Sequence, residues 1–130
     1  MSAQFGQRAV LKMVIEAHAD IARLCVGYHI LDYTGVDVVY SDTAIEDCDL
    51  CELKAGHIYT VEWRFELMLA DGVYNIACVC SVPLDMSIGS VEFCDYVPLA
   101  VQFAMQRREG AKLYAKAYWK NEVETGADQR

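Results

Sequence analysis

The sequence predicts an all-β domain, a two-sheet antiparallel β-sandwich of the jelly-roll or immunoglobulin-like type. Apolar residues alternate with polar ones at a period of two almost throughout, and turn residues separate the short apolar runs. The chain has 130 residues, of which 55% are hydrophobic, enough for one core. About eight short strands at close spacing are typical of a sandwich rather than of an α/β fold.

The strand with the clearest pattern covers residues 60–67. Its apolar face carries Val61, Trp63, Phe65 and Leu67, and its polar face carries Thr60, Glu62, Arg64 and Glu66. One face is therefore expected in the core and the other in solvent.

A turn at Asp71-Gly72 is expected to join this strand to the next one as a hairpin. The buried face of that next strand carries Tyr74, Ile76, Cys78 and Cys80. Further strands are predicted at residues 10–16, 24–31, 36–40, 91–94, 100–105 and 111–120, with a turn at Thr34-Gly35.

Only residues 42–54 are predicted to be irregular. They carry five acidic residues before the first base, Lys54, which favours a solvated acidic loop over a loop that binds a cation. The domain organisation that follows is an N-terminal extension or partial strand at 1–9, a sandwich at 10–120 and a polar tail at 121–130.

Charge and hydropathy exclude several functions. The chain has 11 basic and 19 acidic residues, a net charge of −8, so a nucleic-acid partner is not expected. Asp20, Arg23 and Asp32 interrupt the most apolar region, which leaves no stretch of the ~18 residues that span a bilayer. Residues 1–7 lack the features of a secretion signal, so a cytoplasmic location is expected.

Six cysteines in such a chain are expected to be reduced thiols, mostly filling the core. Cys48 and Cys51 form a single CxxC pair, and together with Cys78 and Cys80 they would make four zinc ligands. The acidic neighbours of the CxxC pair raise thiol pKa values, which disfavours zinc. We predict no metal, and zinc at Cys48 and Cys51 is the alternative.

No catalytic constellation is recognisable, so neither an enzyme nor a cofactor is expected. The sequence lacks nucleophile-elbow, HExxH, phosphate-loop and dinucleotide-binding motifs. Glu62 and Glu66 share a strand face but lie about 13 Å apart, too far for a glycosidase pair.

The C-terminal part of the chain is basic. Residues 107–120 contain five bases and one acid, and as a strand they place Lys112, Tyr114, Lys116, Tyr118 and Lys120 on one face. Aromatic rings between ammonium groups suit an anionic sugar, because a ring stacks on sugar C–H groups and lysine binds a carboxylate or phosphate. The alternative is an edge strand that its lysines protect from aggregation.

Two adjacent segments carry a family resemblance, LKAGHIYTVEWRFEL at residues 53–67 and LADGVYNI at residues 69–76. They resemble the C-terminal domain of Wzt-type ATP-binding proteins of O-antigen polysaccharide ABC transporters. Further similar pieces follow the same order, at residues 26–32 with Gly35, at 39–43, and at 93–95 with 100–103. The resemblance covers residues 10–120.

This resemblance implies a non-catalytic, often dimeric sandwich that binds the modified non-reducing end of a finished polysaccharide. The implied partners are the capped glycan, a second copy of the chain, and the nucleotide-binding domain and membrane subunit of the transporter. The implied location is the cytoplasm, at the inner membrane through the transporter. The alternative function is a structural dimerisation module without a ligand of its own.

From the two predicted solvent faces we expect the ligand to contact Arg64, Tyr114, Lys116 and Tyr118. The tyrosines would stack on sugar rings, and the lysine and arginine would bind an anionic cap. We also expect a homodimer in which the long C-terminal strand completes a partner's sheet, because residues 1–9 are too short to supply the family's first strand and leave an open edge.

Overall fold

The computed structural model describes residues 1–85, 87 and 90–127, and it contains eight β-strands within them. The strands are β1 (Ser2–Ala3), β2 (Arg8–Glu16), β3 (Ile21–Asp32), β4 (Asp37–Asp42), β5 (Leu50–Leu53), β6 (Ile58–Glu66), β7 (Gly72–Asp85) and β8 (Ser90–Met105). Residues 128–130, the end of the predicted tail, lie outside the described part of the chain. Within that part, no helix is long and apolar enough to span a membrane.

The strands form two sheets, which confirms the predicted sandwich. The larger sheet has the order β1-β8-β7-β3-β4, with β5 paired to the start of β3. The smaller sheet pairs β2 with β6 over nine residues. All pairs are antiparallel except β1, which joins the end of β8 in parallel.

The core lies between the two sheets, where aromatic rings meet across the layers. Tyr28 of β3 stacks on Phe65 of β6 at a centroid distance of 5.4 Å and meets Trp63 edge-on at 5.1 Å. Trp63 and Leu67 are buried, whereas Thr60, Glu62, Arg64 and Glu66 are exposed. The predicted faces of this strand are therefore confirmed.

The predicted hairpin between β6 and β7 is wrong. Within the described chain β6 pairs only with β2, whereas β7 lies between β3 and β8 in the other sheet. The connection at residues 67–71 therefore carries the chain from one layer to the other. An apolar face packs on the core equally well from either layer, so the period-two pattern reports the face of a strand and not its neighbour.

Two predicted strands, 91–94 and 100–105, belong to the single long strand β8. The pairing of β8 with β7 shifts register between Ile76 and Cys78, which correspond to Val101 and Val97. Such an irregularity adds residues to one strand without ending the ladder. The bulge explains why the sequence pattern breaks where the strand continues.

The acidic segment 42–54 is more ordered than predicted. It contains β5, and two of its carboxylates are bound within the protein. Asp42 accepts hydrogen bonds from the Tyr40 hydroxyl (2.6 Å) and the Ile45 N–H (2.7 Å). Asp49 accepts from the Thr43 hydroxyl (2.6 Å) and pairs with Arg23 (2.6 Å). These carboxylates hold the loop in place rather than facing water.

The predicted strand at 111–120 is also wrong. The chain turns at Gly110, which has a φ of 92°, and the segment pairs with the sandwich at one bridge, between Ala117 and Leu69. Three of the five residues on its apolar face are alanines, at 111, 115 and 117. That face buries too little area to hold a full strand on the core.

Candidate ligand-binding surface

Residues 116–118 cross one end of the sandwich beside the connection between β6 and β7. Ala70 N–H donates to the Lys116 carbonyl (2.8 Å), and Tyr118 N–H donates to the Met68 carbonyl (2.9 Å). Leu69, which faces Ala117 in this bridge, is buried. Because side chains alternate along an extended segment, Lys116 and Tyr118 lie on the same side of the bridge.

Both side chains contact aromatic residues from distant parts of the chain. The Lys116 ammonium lies 5.3 Å from the ring centroid of Tyr33, in the turn between β3 and β4. The Tyr118 ring lies 5.8 Å from that of Phe5, and the Arg108 guanidinium lies 5.2 Å from the same Phe5 ring. We call these five residues the aromatic–basic surface.

The turn that carries Tyr33 is held by the carboxylate of Asp32. This buried group accepts hydrogen bonds from the Thr34 hydroxyl (2.6 Å), the Thr34 N–H (2.9 Å) and the Val36 N–H (3.1 Å). The Thr34 hydroxyl is the main cause that lowers the pKa of Asp32, and burial opposes it; the two N–H bonds and the charge of Lys116 lower it further. Tyr33 is thus presented to solvent from a fixed turn.

The structure brings together only part of the predicted binding set. Lys116 and Tyr118 lie together in the aromatic–basic surface. Tyr114 is 95% exposed, and its ring contacts Lys112 at 5.9 Å. Arg64 lies on β6 in the smaller sheet and pairs with Glu62 at 2.6 Å. No hydrogen bond, ion pair or ring contact within the described chain joins Arg64 to the other three.

Sequence reasoning missed Phe5, Tyr33 and Arg108. Tyr33 had a usable signal, because a large aromatic residue directly before the Thr34-Gly35 turn has little access to a core. Phe5 had no such signal in the sequence, since an isolated apolar residue in a short N-terminal segment is usually a packing residue. These residues join the surface through contacts with residues about 80 to 110 positions away along the chain.

A second feature is an apolar groove of about 660 Å³ between β2 and the β7–β8 pair. Its floor includes Leu11, Met13, Leu24 and Val101, and it has no Phe, Tyr or Trp within the described chain. Among the described residues, the edge of β2 away from β6 is unpaired, and the outer edge of β8 is paired only at its last two residues. Unpaired strand edges beside an apolar groove suit a polypeptide strand better than a sugar.

The cysteines do not come together as a zinc site. Cys48, just before β5, and Cys51, within β5, are exposed, whereas Cys78 and Cys80 line the groove from β7. Burial raises the pKa of Cys78, and burial, followed by the charge of Asp95 and nearby thiols, raises that of Cys80 to about 11. In the described part of the chain, no group of three or more histidine, cysteine or acidic side chains could hold a metal ion.

The fold defines a class of protein, a two-sheet β-sandwich domain, and here one end of the sandwich exposes aromatic and basic side chains. The chain belongs to the Wzt C-terminal domain family, whose model matches residues 2–115. The crystal structure of the C-terminal domain of wzt is similar, with a TM-score of 0.79 at 12% identity, over 95% of this chain and 73% of that chain. At this identity the likeness concerns the fold. No curated protein matches the chain.

Proposed function

We propose that this domain is a non-catalytic carbohydrate-binding module. Its ligand is the modified non-reducing end of a bacterial O-antigen polysaccharide, bound before export by an ABC transporter. Membership of the Wzt C-terminal domain family supports the transporter context. The domain would act in the cytoplasm, joined to the inner membrane through the nucleotide-binding domain and the membrane subunit of the transporter.

The aromatic–basic surface is the observation that carries this proposal. Tyr33 and Tyr118 present rings to solvent, and Lys116 and Arg108 stand beside rings at 5.3 and 5.2 Å. Sugar C–H faces stack on such rings, while the two cations can bind oxygen atoms of the terminal group. The cations already lie beside rings, so binding needs little reorganisation of these side chains.

The other two expected contacts lie outside this surface. Tyr114 adds an exposed ring next to Lys112. Arg64 belongs to the smaller sheet and would reach only a glycan that extends beyond the terminal sugars. We therefore expect the effect of substitution to fall in the order Tyr118 and Lys116, then Tyr114, then Arg64.

The test is calorimetric titration of the folded domain with capped and uncapped polysaccharide. We expect Tyr118→Ala and Lys116→Gln each to weaken binding of the capped glycan by about threefold to tenfold. The Lys116→Gln variant should also lose part of the salt dependence. Tyr96→Ala removes a half-exposed tyrosine of β8 outside the surface and is the matched control. Unchanged affinity in both surface variants would refute this location.

We also propose a homodimer, which the groove between β2 and β8 supports. Pairing between two copies across the groove would fill it and satisfy the free edges of β2 and β8. The expected C-terminal strand takes no part in this pairing, because residues 111–120 form no strand. Sedimentation at micromolar concentration should show a dimer, and Val97→Lys in the groove should shift it to a monomer. Val73→Lys is the matched control, because Val73 is 41% exposed, close to the 44% of Val97, and lies outside the groove. A monomeric wild-type protein would contradict the proposal.

The same groove favours the alternative function, a structural dimerisation module. The two functions differ in one measurement, the binding of capped glycan by the dimer. A stable dimer that binds no capped glycan would favour the structural module.

A further inference from the structure

A small basic cleft lies next to the aromatic–basic surface. Its charged lining residues are Arg107, Arg108, Lys112 and Asp71, so three cations face one carboxylate in a chain with a net charge of −8. The enclosed space is about 10 Å³, room for about one water molecule. A larger group would rest in its mouth.

The backbone after β8 brings these cations together. The Arg108 guanidinium donates to the Ala111 carbonyl (2.6 Å), and Gly110, with a φ of 92°, turns the chain so that Lys112 returns to the cleft. Arg108 is held a second time by the Phe5 ring at 5.2 Å. One of the three cations is thus fixed before any ligand arrives.

In the described part of the chain, the cleft cations are not neutralised by ion pairs. No carboxylate of the described chain forms an ion pair with Arg107, Arg108 or Lys112. Cations gathered at one place repel each other, and an oxyanion that receives hydrogen bonds from all three would relieve that repulsion. A guanidinium fork matches the geometry of two oxygen atoms on one carboxylate or phosphate.

We propose that this cleft binds an oxyanion, a phosphate or carboxylate substituent of the terminal sugar. The inference rests on the proposed carbohydrate-binding function. Arg108 connects the cleft to the stacking rings, because it contacts Phe5, and Phe5 contacts Tyr118 at 5.8 Å. A sugar stacked on Tyr118 would place a charged substituent over Arg107 and Lys112. Asp71 would accept a hydrogen bond from a neighbouring sugar hydroxyl.

The first experiment uses inorganic phosphate and acetate as probes. Each is titrated at constant ionic strength into the ¹⁵N-labelled protein. We expect changes in amide chemical shift confined to residues 69–71 and 107–113. Tighter binding of phosphate would identify phosphate as the preferred group, and tighter binding of acetate would identify carboxylate. Arg107→Gln and Lys112→Gln should each weaken binding about fivefold. Lys54→Gln, in the turn before β6, is the control and should leave binding unchanged. Shifts spread evenly over all basic residues would overturn the proposal.

The second experiment separates this inference from the proposed function. Capped polysaccharide is titrated into the wild type and the Arg107→Gln/Lys112→Gln double variant, with the fold checked by the amide spectrum. At least tenfold weaker binding by the double variant supports the proposal that the cleft binds the charged substituent of the terminal sugar. Equal binding by both proteins overturns that proposal, while the proposed carbohydrate function stands. Phosphate or acetate binding in the cleft without any binding of capped glycan overturns the carbohydrate function instead and supports an oxyanion site.

Discussion

Replacing Thr43 with valine tests whether the acidic loop is held by buried hydrogen bonds. Thr43 is 2% exposed, and its hydroxyl accepts from the Val26 N–H (3.0 Å) and donates to Asp49 (2.6 Å). Valine keeps the shape and removes both bonds. An orphaned buried N–H costs about 1–3 kcal/mol and a lost bond to a charged group about 1.5–3 kcal/mol. Arg23 still pairs with Asp49, so we expect a loss of about 3 kcal/mol.

The assay is urea unfolding at pH 7, followed by the fluorescence of the buried Trp63. A loss of this size is a large part of the 5–15 kcal/mol typical of domains, so the unfolding midpoint should fall clearly while the slope stays constant. Thr60→Val, on the exposed face of β6, is the control and should change stability by less than about 0.5 kcal/mol. A Thr43→Val variant within 1 kcal/mol of the wild type would refute the reasoning.

Three further predictions concern the core and its titrating groups. Gly27→Ala should cost about 1–3 kcal/mol in urea unfolding, because the new Cβ would lie 2.9 Å from the Cβ of Asp42; wild-type stability would contradict this. Folding lowers the pKa of Asp32, so its stabilisation is complete above the ordinary value of 3.8 and is lost as pH falls through the lower folded value. The melting temperature of Asp32→Asn should therefore fall less than that of wild type between pH 5 and pH 2. If the melting temperatures of the two proteins fall in parallel with pH, this prediction is wrong. At pH 8, iodoacetamide should label the exposed Cys94 before Cys80, because burial raises the pKa of Cys80 to about 11. Mass spectrometry measures the rate at each site, and equal rates would contradict the raised pKa of Cys80.

Period-two alternation correctly predicted which side chains of residues 60–67 face the core, because the pattern reflects the burial of apolar surface. Burying the apolar face of residues 60–67 removes that face from water, so Trp63 and Leu67 are buried and Arg64 is exposed. This requirement acts on each strand separately. It holds whichever strand becomes the neighbour.

Strand pairing was the part that alternation could not predict. β6 and β7 are adjacent in sequence with a short connection, yet they lie in different sheets. A β6–β7 hairpin and the observed β2–β6 pair would bury the same apolar faces. Which of them forms depends on whether β7 or the nine residues of β2 pair with the edge of β6. That competition involves a segment about 50 residues earlier in the chain.

The candidate site shows the same division. The basic and aromatic character of residues 107–118 is visible in the sequence, and it pointed to Lys116 and Tyr118. The partners Phe5 and Tyr33 come from the N-terminus and from a turn between strands, and only the packing of the chain ends places them there. Arg64 lies on β6 in the smaller sheet, and its part in ligand binding stays a prediction.

The sequence by itself determined the fold class, the faces of the main strands and the basic character of one segment. These are properties of single segments, since amphipathicity depends only on the order of residues within a strand. The tertiary structure alone decided which strands are neighbours, that the acidic loop is tied down by Thr43 and Arg23, and which rings meet the cations. Those outcomes depend on contacts between distant segments, and many pairings satisfy the same local pattern until the whole core is packed.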